Sequence, residues 1–312
     1  MSKRKLFKQL QQLTTEKRNK NSMNIDLMKT TSILRLINRE DHKIADAVKK
    51  EILHIEQAVE LVVNAIKNGG RLIYVGAGTS GRLGVLDAVE CPPTFGTDPS
   101  IIRGIIAGGK TAMFRAKEGA EDDEKDAKKR IKDIRLKEKD VVCGIAASLR
   151  TPFVISALRE SKKVNASTIL ITTNPRKIIN KKQFSHLRKL CDVLICPEVG
   201  PEIIMGSTRM KSGTAQKMIL NMITTTAMIK MGKVYENLMV DLRMNSKKLE
   251  ERAKRILMIV TGVNYKSASL LLRRAGGNVK TAIVMAKLGI SKNEAEYRLK
   301  ISDGFVKKAI YI

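Results

Sequence analysis

A chain of 312 residues with 59 Lys and Arg against 31 Asp and Glu has a formal net charge of +28, which suggests a nucleic-acid partner. Its 43% of hydrophobic residues can fill a core and excludes wholesale disorder, whereas 4% of aromatic residues is low for a protein that stacks single-stranded bases. The four cysteines (Cys91, Cys143, Cys191 and Cys196) form no CxxC pair, which excludes zinc fingers and indicates buried, reduced thiols.

The excess positive charge avoids two central segments of the chain. Residues 71–121 contain six basic and five acidic side chains, and residues 200–241 contain five and three. The charge is instead spread over the N-terminal arm, 125–139 and the C-terminal third, which is typical of a solvated surface. We therefore expect neither nucleic acid nor a membrane as partner. With no apolar leader and no run of about 18 apolar residues, the sequence predicts a soluble, cytoplasmic protein.

The first part of the chain, 1–69, predicts a polar arm followed by two helices. Residues 1–24 are polar and basic, and apolar residues recur at helical spacing over 25–38 and 40–68. Asn68-Gly69-Gly70 would end the second helix, because glycine is favoured just beyond a helix C-terminus.

From about residue 71 to 232 the pattern changes to short apolar runs separated by helical spacing. The predicted strands are Leu72–Val75, Ile101–Ala107, Val141–Ala146, Thr168–Thr172 and Val193–Cys196. Near-continuous apolar strands that alternate with helices are typical of a parallel sheet covered on both faces. We predict a doubly wound α/β domain over 70–245, with its ligand at the carboxyl ends of the strands.

The last part, 246–312, returns to helical spacing and predicts a small appendage of three helices. The helical segments are Lys248–Thr261, Tyr265–Arg274, Asn278–Lys287 and Lys292–Ile301.

Two loops at predicted strand ends are suited to bind an anion. In Gly76–Gly84, which opens a helix, the backbone at Gly78 and the hydroxyls of Thr79 and Ser80 can donate to a phosphate. No Gly-Lys-Ser/Thr follows, so this is not a nucleotide P-loop, and a purely structural turn remains an alternative.

The second loop, Ala146–Pro152, has the same character. Ser148 and Thr151 flank the start of a helix that Pro152 favours, although the two hydroxyls could equally serve as helix caps.

Three glutamates are candidates for acid–base chemistry. Glu90 precedes Pro92-Pro93, which we expect to end its helix, and Glu118 and Glu121 lie in one acidic segment. Paired carboxylates can divide acid and base roles, but spacing alone does not bring them together, and a solvated surface remains the alternative.

A further helix is predicted to open at Gly206–Lys217 and to run to about Met231. Ser207 or Thr208 could cap this helix, whose positive dipole end would favour an anion.

These segments together closely resemble the N-acetylmuramic acid 6-phosphate etherases, bacterial enzymes of peptidoglycan recycling built on a sugar isomerase (SIS) domain. The resemblance runs from the arm at 15–22 to the helical tail and covers nearly the whole chain. Its most specific parts are Gly76–Gly84 with Asp87–Thr94, and Gly213–Lys217 with Asn237–Asp241.

The resemblance implies cleavage of the C3 lactyl ether of N-acetylmuramate 6-phosphate by elimination and water addition, with no metal or other cofactor. It places the acid on Glu90 and the base on Glu121. The phosphate-binding residues would be Gly78, Thr79, Ser80, Ser148, Thr151, Ser207 and Thr208.

One position departs from the family pattern. The family usually has glycine where this chain has Leu149, whose Cβ could narrow the phosphate pocket or forbid a positive φ. SIS domains commonly pair, so the resemblance implies a homodimer. The glucokinase regulatory proteins share these motifs but have two SIS domains, and this chain has room for only one. A non-catalytic sugar-phosphate sensor on the same fold remains the alternative function.

Overall fold

The computed structural model describes residues 7, 10–181, 184–242 and 247–312. These residues form two compact units. One comprises the described residues of Met1–Ala88 together with Ser100–Ile223, and the other comprises Val89–Pro99 with the described residues of Thr224–Ile312. The domain boundaries expected at 69/70 and 245/246 stay a prediction.

The N-terminal arm of the first unit consists of three 3-10 turns, Thr14–Glu16, Lys20–Ser22 and Ile25–Leu27. Two helices follow, α1 at Thr30–Lys49 and α2 at Ile52–Lys67.

The helix break that we expected near residue 39 is wrong, since α1 runs through it. Leu36, Glu40, Ile44 and Val48 are four residues apart and all buried, so one continuous helical face packs into the core. The predicted end of α2 is confirmed, since Gly69 has the left-handed φ of 71°.

The core of the first unit is a five-stranded parallel sheet, which confirms the predicted doubly wound α/β fold. Its strands are β1 Leu72–Gly76, β2 Ile102–Ile106, β3 Val141–Ile145, β4 Ser167–Ile171 and β5 Val193–Ile195. Each lies within one residue of its predicted bounds, because buried parallel strands leave a near-continuous apolar run in the sequence.

The strand order β2-β1-β3-β4-β5 determines where a ligand can bind. The chain proceeds outward from β1 in one direction to β2 and in the other to β3, so the order reverses between β1 and β3. At such a switch point the two following loops diverge and leave a crevice outside the carboxyl ends of the strands. These loops are the two that the sequence identifies as suited to an anion.

Helices follow the strands of this sheet, and the first and last of them run on into the second unit. They are α3 Gly78–Phe95, α4 Thr111–Phe114, α5 Glu124–Asp133, α6 Pro152–Lys163, α7 Arg176–Ile179, α8 Ser185–Leu190 and α9 Lys211–Lys230. No helix within the described ranges is long and apolar enough to cross a membrane.

The expectation that Pro92 and Pro93 end the helix after Glu90 is wrong, because α3 continues through both to Phe95. The φ that proline imposes is itself helical, so two prolines remove hydrogen bonds without forbidding the helical backbone. The helix ends instead at Gly96, whose φ is 63° and whose N–H donates to the Pro92 carbonyl at 2.9 Å.

The second unit has its own core. It contains a short hairpin, β6 Val234–Tyr235 and β7 Leu238–Met239, and the helices α10 Lys247–Thr261, α11 Tyr265–Arg274, α12 Val279–Leu288, α13 Lys292–Ile301 and α14 Val306–Tyr311.

Each of the four predicted helical segments is found as a separate helix, α10 to α13. The described part of this unit has α14 in addition, so the expected number of three helices is wrong. The side chains of Asn264, Asn278 and Ser291 each accept a hydrogen bond from the backbone three residues on. Each of these caps starts a separate helix, so that neighbouring segments do not fuse.

Candidate active site

A cavity of about 290 Å³ lies where β1 and β3 end. It is lined by Glu16, Ala77, Gly78, Thr79, Ser80, Glu121, Ile145, Ala146, Ala147, Ser148, Arg150, Thr151, Gly206 and Thr208. The cavity brings together seven of the nine residues that the sequence proposes for the site, and leaves out Glu90 and Ser207. Its polar lining at a topological switch point is what an anionic small molecule requires.

The loop after β1 depends on glycine for its close approach to the strand. A Cβ on Gly81 would lie 2.7 Å from the Gly76 carbonyl oxygen, too near for any side chain. Gly78 has a φ of 52°, and α3 begins there, so that free backbone N–H groups face the cavity end of the helix. Ser80 is buried, and its hydroxyl donates to Gln216 Oε1 at 2.8 Å.

In the loop after β3, Ser148, Arg150 and Thr151 line the cavity, whereas Leu149 packs into the core. Leu149 is only 3% exposed and packs in the apolar core of the first unit. Ser148 accepts a hydrogen bond from the Arg150 backbone N–H at 3.3 Å, and α6 starts directly after Thr151.

The concern that the Leu149 side chain would narrow the cavity or require a positive φ does not apply. Leu149 does not line the cavity and is not among the non-glycine residues with left-handed backbone. Because its side chain packs away from the cavity, it anchors the loop.

The helix α9 is capped differently from our expectation. The carboxylate of Glu202, which is fully buried, accepts from the backbone N–H groups of Lys211 at 3.0 Å and Ser212 at 2.9 Å. A carboxylate interacts more strongly with the positive end of a helix than a hydroxyl does, so capping by Ser207 or Thr208 is wrong. The first N–H groups of this helix are therefore bonded within the protein, whereas Thr208 still lines the cavity and its binding role stays a prediction.

The acid–base candidates lie in different places. Glu121 is exposed in a 3-10 turn, Ala120–Asp122, and lines the cavity. Glu118 lines a smaller neighbouring cavity of about 150 Å³, which Glu121 also borders. Glu90, itself a described residue, is exposed on α3 and is not among the residues that line the cavity of about 290 Å³.

The cavity contains a second carboxylate, that of Glu16, to which the sequence analysis gave no role. Two hydrogen bonds hold the backbone of the arm directly before it. The Thr14 N–H donates to Asn174 Oδ1 at 2.8 Å, and the Thr15 carbonyl accepts from the Gly206 N–H at 3.2 Å. The only sequence signal for Glu16 is that it lies in a matching segment of the resemblance.

A second group of contacts, the Glu40 cluster, holds the arm against the first unit. It consists of Asn19, Asn21, Glu40, Lys43 and Lys211. Glu40, 2% exposed, accepts from Lys211 Nζ at 2.8 Å and from Lys43, and Lys211 is itself 1% exposed. Asn19 and Asn21 donate to the same carboxylate at 3.0 and 2.9 Å. Burial alone raises the pKa of Glu40, but these four donors outweigh it and lower the pKa from 4.5 to about 2.

The cysteines take no part in the site, and the prediction of free thiols is confirmed. Cys91, Cys143 and Cys196 are buried and Cys191 is half-buried, all without a disulfide. Burial raises the pKa of Cys191 to about 12 and that of Cys196 to about 12, so neither is a thiolate nucleophile at neutral pH. Within the described residues, no three His, Cys, Asp or Glu side chains are grouped as metal ligands.

Comparison with known proteins gives close relatives over the whole chain. Residues 54–162 match the family described as glucokinase regulatory protein N-terminal SIS domain. Over 98% of its length the chain is 55% identical to an N-acetylmuramic acid 6-phosphate etherase of Salinibacter ruber, 96% of which it covers. Over 96% of its length it is 54% identical to an enzyme of the same name from Clostridium acetobutylicum, 97% of which it covers. A phosphoheptose isomerase structure from Francisella tularensis is 15% identical with a TM-score of 0.46, covering 64% of this chain and 100% of that one.

Proposed function

The chain belongs to the N-acetylmuramic acid 6-phosphate etherase family, and we propose that it cleaves the C3 lactyl ether of N-acetylmuramate 6-phosphate. The products are N-acetylglucosamine 6-phosphate and D-lactate, which makes the protein a carbon–oxygen lyase. The observation that carries the proposal within the structure is the cavity itself, where Glu121 lies among two hydroxyl-bearing loops at the switch point of the sheet.

The two loops bind the phosphate end of the substrate. The backbone at Gly78 and the hydroxyl of Thr79 donate from one side, with Ser80 beside them in the cavity lining, and Ser148 and Thr151 donate from the other. Because the phosphate does not react, its binding energy serves to place the reacting carbons beside the acid and the base.

The chemical step is an elimination followed by an addition. Once the sugar ring opens to the aldehyde, the C2 proton is acidic, and the carboxylate of Glu121 removes it as general base. The electron pair forms the C2–C3 double bond, and the C3–O bond breaks with its electrons going to the lactate oxygen. That oxygen takes a proton from Glu90, and water then adds at C3 as the proton returns to C2.

We propose that Glu90 reaches this site from a second subunit of a homodimer. On α3, Glu90 shares one helical face with Leu86, 48% exposed, and Val89, 58% exposed. Exposed apolar side chains at this spacing favour burial against another protein surface. A partner that covers this face would bring its own cavity to Glu90.

We place the reaction in the cytoplasm. The substrate carries a phosphate and a carboxylate and does not cross a bilayer unaided, since transfer of ionised groups into hydrocarbon is very unfavourable. The net charge of +28 favours the encounter with such a doubly anionic ligand.

The direct test is incubation of the purified protein with N-acetylmuramate 6-phosphate. We expect release of D-lactate, and in ¹⁸O-labelled water we expect the label at C3 of the amino sugar. Label in the lactate would contradict the elimination, because it would mean attack on the lactyl carbon. A folded protein that binds the sugar phosphate but releases no lactate would instead support the sensor.

Subunit mixing tests the shared site. The single variants Glu90→Gln and Glu121→Gln should each be inactive, whereas their heterodimer has one site with both wild-type glutamates. After full exchange of subunits we expect about a quarter of the wild-type activity, since half of the dimers are mixed and each has one intact site of two. If both glutamates act within one chain, mixing restores nothing.

A further inference from the structure

Arg150 lines the cavity and has a side-chain donor without a partner among the described residues. The donor is its Nη1 atom, which is buried. A guanidinium donates through five N–H bonds and cannot lose its charge, so leaving one of its nitrogens buried and unpaired is unfavourable. This arrangement points to an acceptor that a ligand supplies.

Arg150 also differs in charge from the rest of the lining. Among the described residues that line the cavity it is the only cation, and the other charged side chains are Glu16 and Glu121. Two carboxylates repel an anionic ligand, and the repulsion grows as the ligand displaces water from the site. An anionic group placed near Glu121 therefore needs a cation beside it.

The substrate under the proposed function carries two anions at different places, the phosphate on C6 and the carboxylate of the lactyl group on C3. The start of α3 with Thr79 supplies backbone and hydroxyl donors, which suit the phosphate. The planar fork of a guanidinium matches a carboxylate with two parallel hydrogen bonds.

We propose that Arg150 is a specificity residue that binds the lactyl carboxylate. This inference rests on the proposed etherase function. The contact fixes the lactyl group and orients the C3–O bond relative to Glu121. It also makes the protein bind the substrate more tightly than N-acetylglucosamine 6-phosphate, which has no carboxylate. Once the ether bond is broken, the sugar product no longer carries this carboxylate, so Arg150 no longer contributes to its binding.

The backbone around Arg150 is held well enough for this role. Leu149 on one side is in the core, and Pro152 on the other begins α6. Ser148 accepts the Arg150 backbone N–H. A side chain on so constrained a loop loses little freedom when it pairs with a ligand.

The test measures binding to a protein that cannot turn over its ligand. In a Glu121→Gln background, calorimetry gives the dissociation constants of N-acetylmuramate 6-phosphate and N-acetylglucosamine 6-phosphate with and without Arg150→Met. We expect the added substitution to weaken binding of the muramate about 100-fold, as for truncation of one partner of a charged pair. The affinity for the glucosamine ligand should change by less than about threefold. Arg150→Lys, which keeps the charge without the fork, should lose about tenfold for the muramate alone.

Equal losses for both ligands would overturn the proposal, because they would assign Arg150 to the phosphate. No loss for either would overturn it as well. A measurement without any change at Arg150 gives an independent check, since the lactyl carboxamide analogue should bind about 100-fold more weakly than the acid. Release of D-lactate by the unmodified protein reports on the proposed function separately, so lactate release without these binding differences rejects the inference alone.

Discussion

The cavity at the end of the sheet and the Glu40 cluster behind the arm both contain carboxylates and long cationic side chains: Glu16, Glu121 and Arg150 in the cavity, and Glu40 with Lys43 and Lys211 in the cluster. In the cluster, Glu40 and Lys211 are each at most 2% exposed and bonded to each other. In the cavity, Glu121 is exposed and Arg150 keeps a buried nitrogen without a partner. Charges that the protein pairs for itself stabilise the fold, and charges that it leaves open are available to a ligand.

The largest loss of activity should come from substitution of a cavity residue. Glu121→Gln removes the general base while leaving the shape of the side chain, so we expect kcat to fall about 10²–10⁴-fold. The free energy of unfolding should stay within about 0.5 kcal/mol of the unmodified protein, as for other exposed positions. Both quantities are measured on the same preparation, by D-lactate release and by denaturant titration.

Glu118→Gln is the matched control, since it lies three residues away in the same loop and does not line the cavity of about 290 Å³. We expect it to keep most of the activity. An equal loss at both positions would mean that the loop as a whole, and not the Glu121 carboxylate, supports the reaction.

Substitution in the Glu40 cluster should instead lower the stability of the fold. Glu40→Gln leaves the buried Lys211 without its counter-charge, which should lower the free energy of unfolding by about 3 kcal/mol. The exposed Glu56 on α2 provides the control, because Glu56→Gln should change stability by no more than about 0.5 kcal/mol. Denaturant titration separates the two. A Glu40 variant as stable as the control would show that Lys211 finds solvent or another partner.

The pH dependence of stability sharpens the same contrast. The pKa of Glu40 is lowered from 4.5 to about 2 on folding, so the unfolded chain binds the proton at a higher pH than the folded one. Its stabilising contribution is fully present above pH 4.5 and is lost as the pH falls towards 2. The stability gap between the unmodified protein and Glu40→Gln should therefore narrow over that window, and a constant gap would contradict the assignment to this carboxylate.

Sequence reasoning succeeds here wherever the signal is local. The strands are apolar runs with Gly, Asn, Pro or Ser at their ends, and β1 and β3 were placed within one residue because burial on both faces shows in the residues themselves. The hydroxyl loops were recognised because they follow those strands. One prediction from local sequence is wrong: Pro92 and Pro93 do not end α3, because the φ of proline is compatible with a helical backbone.

The features that were missed depend on contacts between distant residues. Glu40 and Lys211 are 171 positions apart, and nothing in either neighbourhood shows that they meet. Glu202 caps α9 from outside the helix, which a search for Ser or Thr at the helix start overlooks. Arg150 was visible in its loop, but that its nitrogen is buried and unpaired follows only from the packing around it.

Ser80 lines the cavity and is also bonded within the protein, so its substitution should change activity less than Glu121→Gln does and stability less than Glu40→Gln does. It lines the cavity, yet its proton is already donated to Gln216, which is 1% exposed. Ser80→Ala should therefore raise KM only about three- to tenfold and also lower the free energy of unfolding by about 1 kcal/mol, because a buried hydrogen bond is lost. Thr79→Val, beside it, should raise KM to a similar extent at unchanged stability. If Ser80→Ala changed KM alone, the bond to Gln216 would contribute nothing to the fold, and Ser80 would belong with the open groups of the cavity.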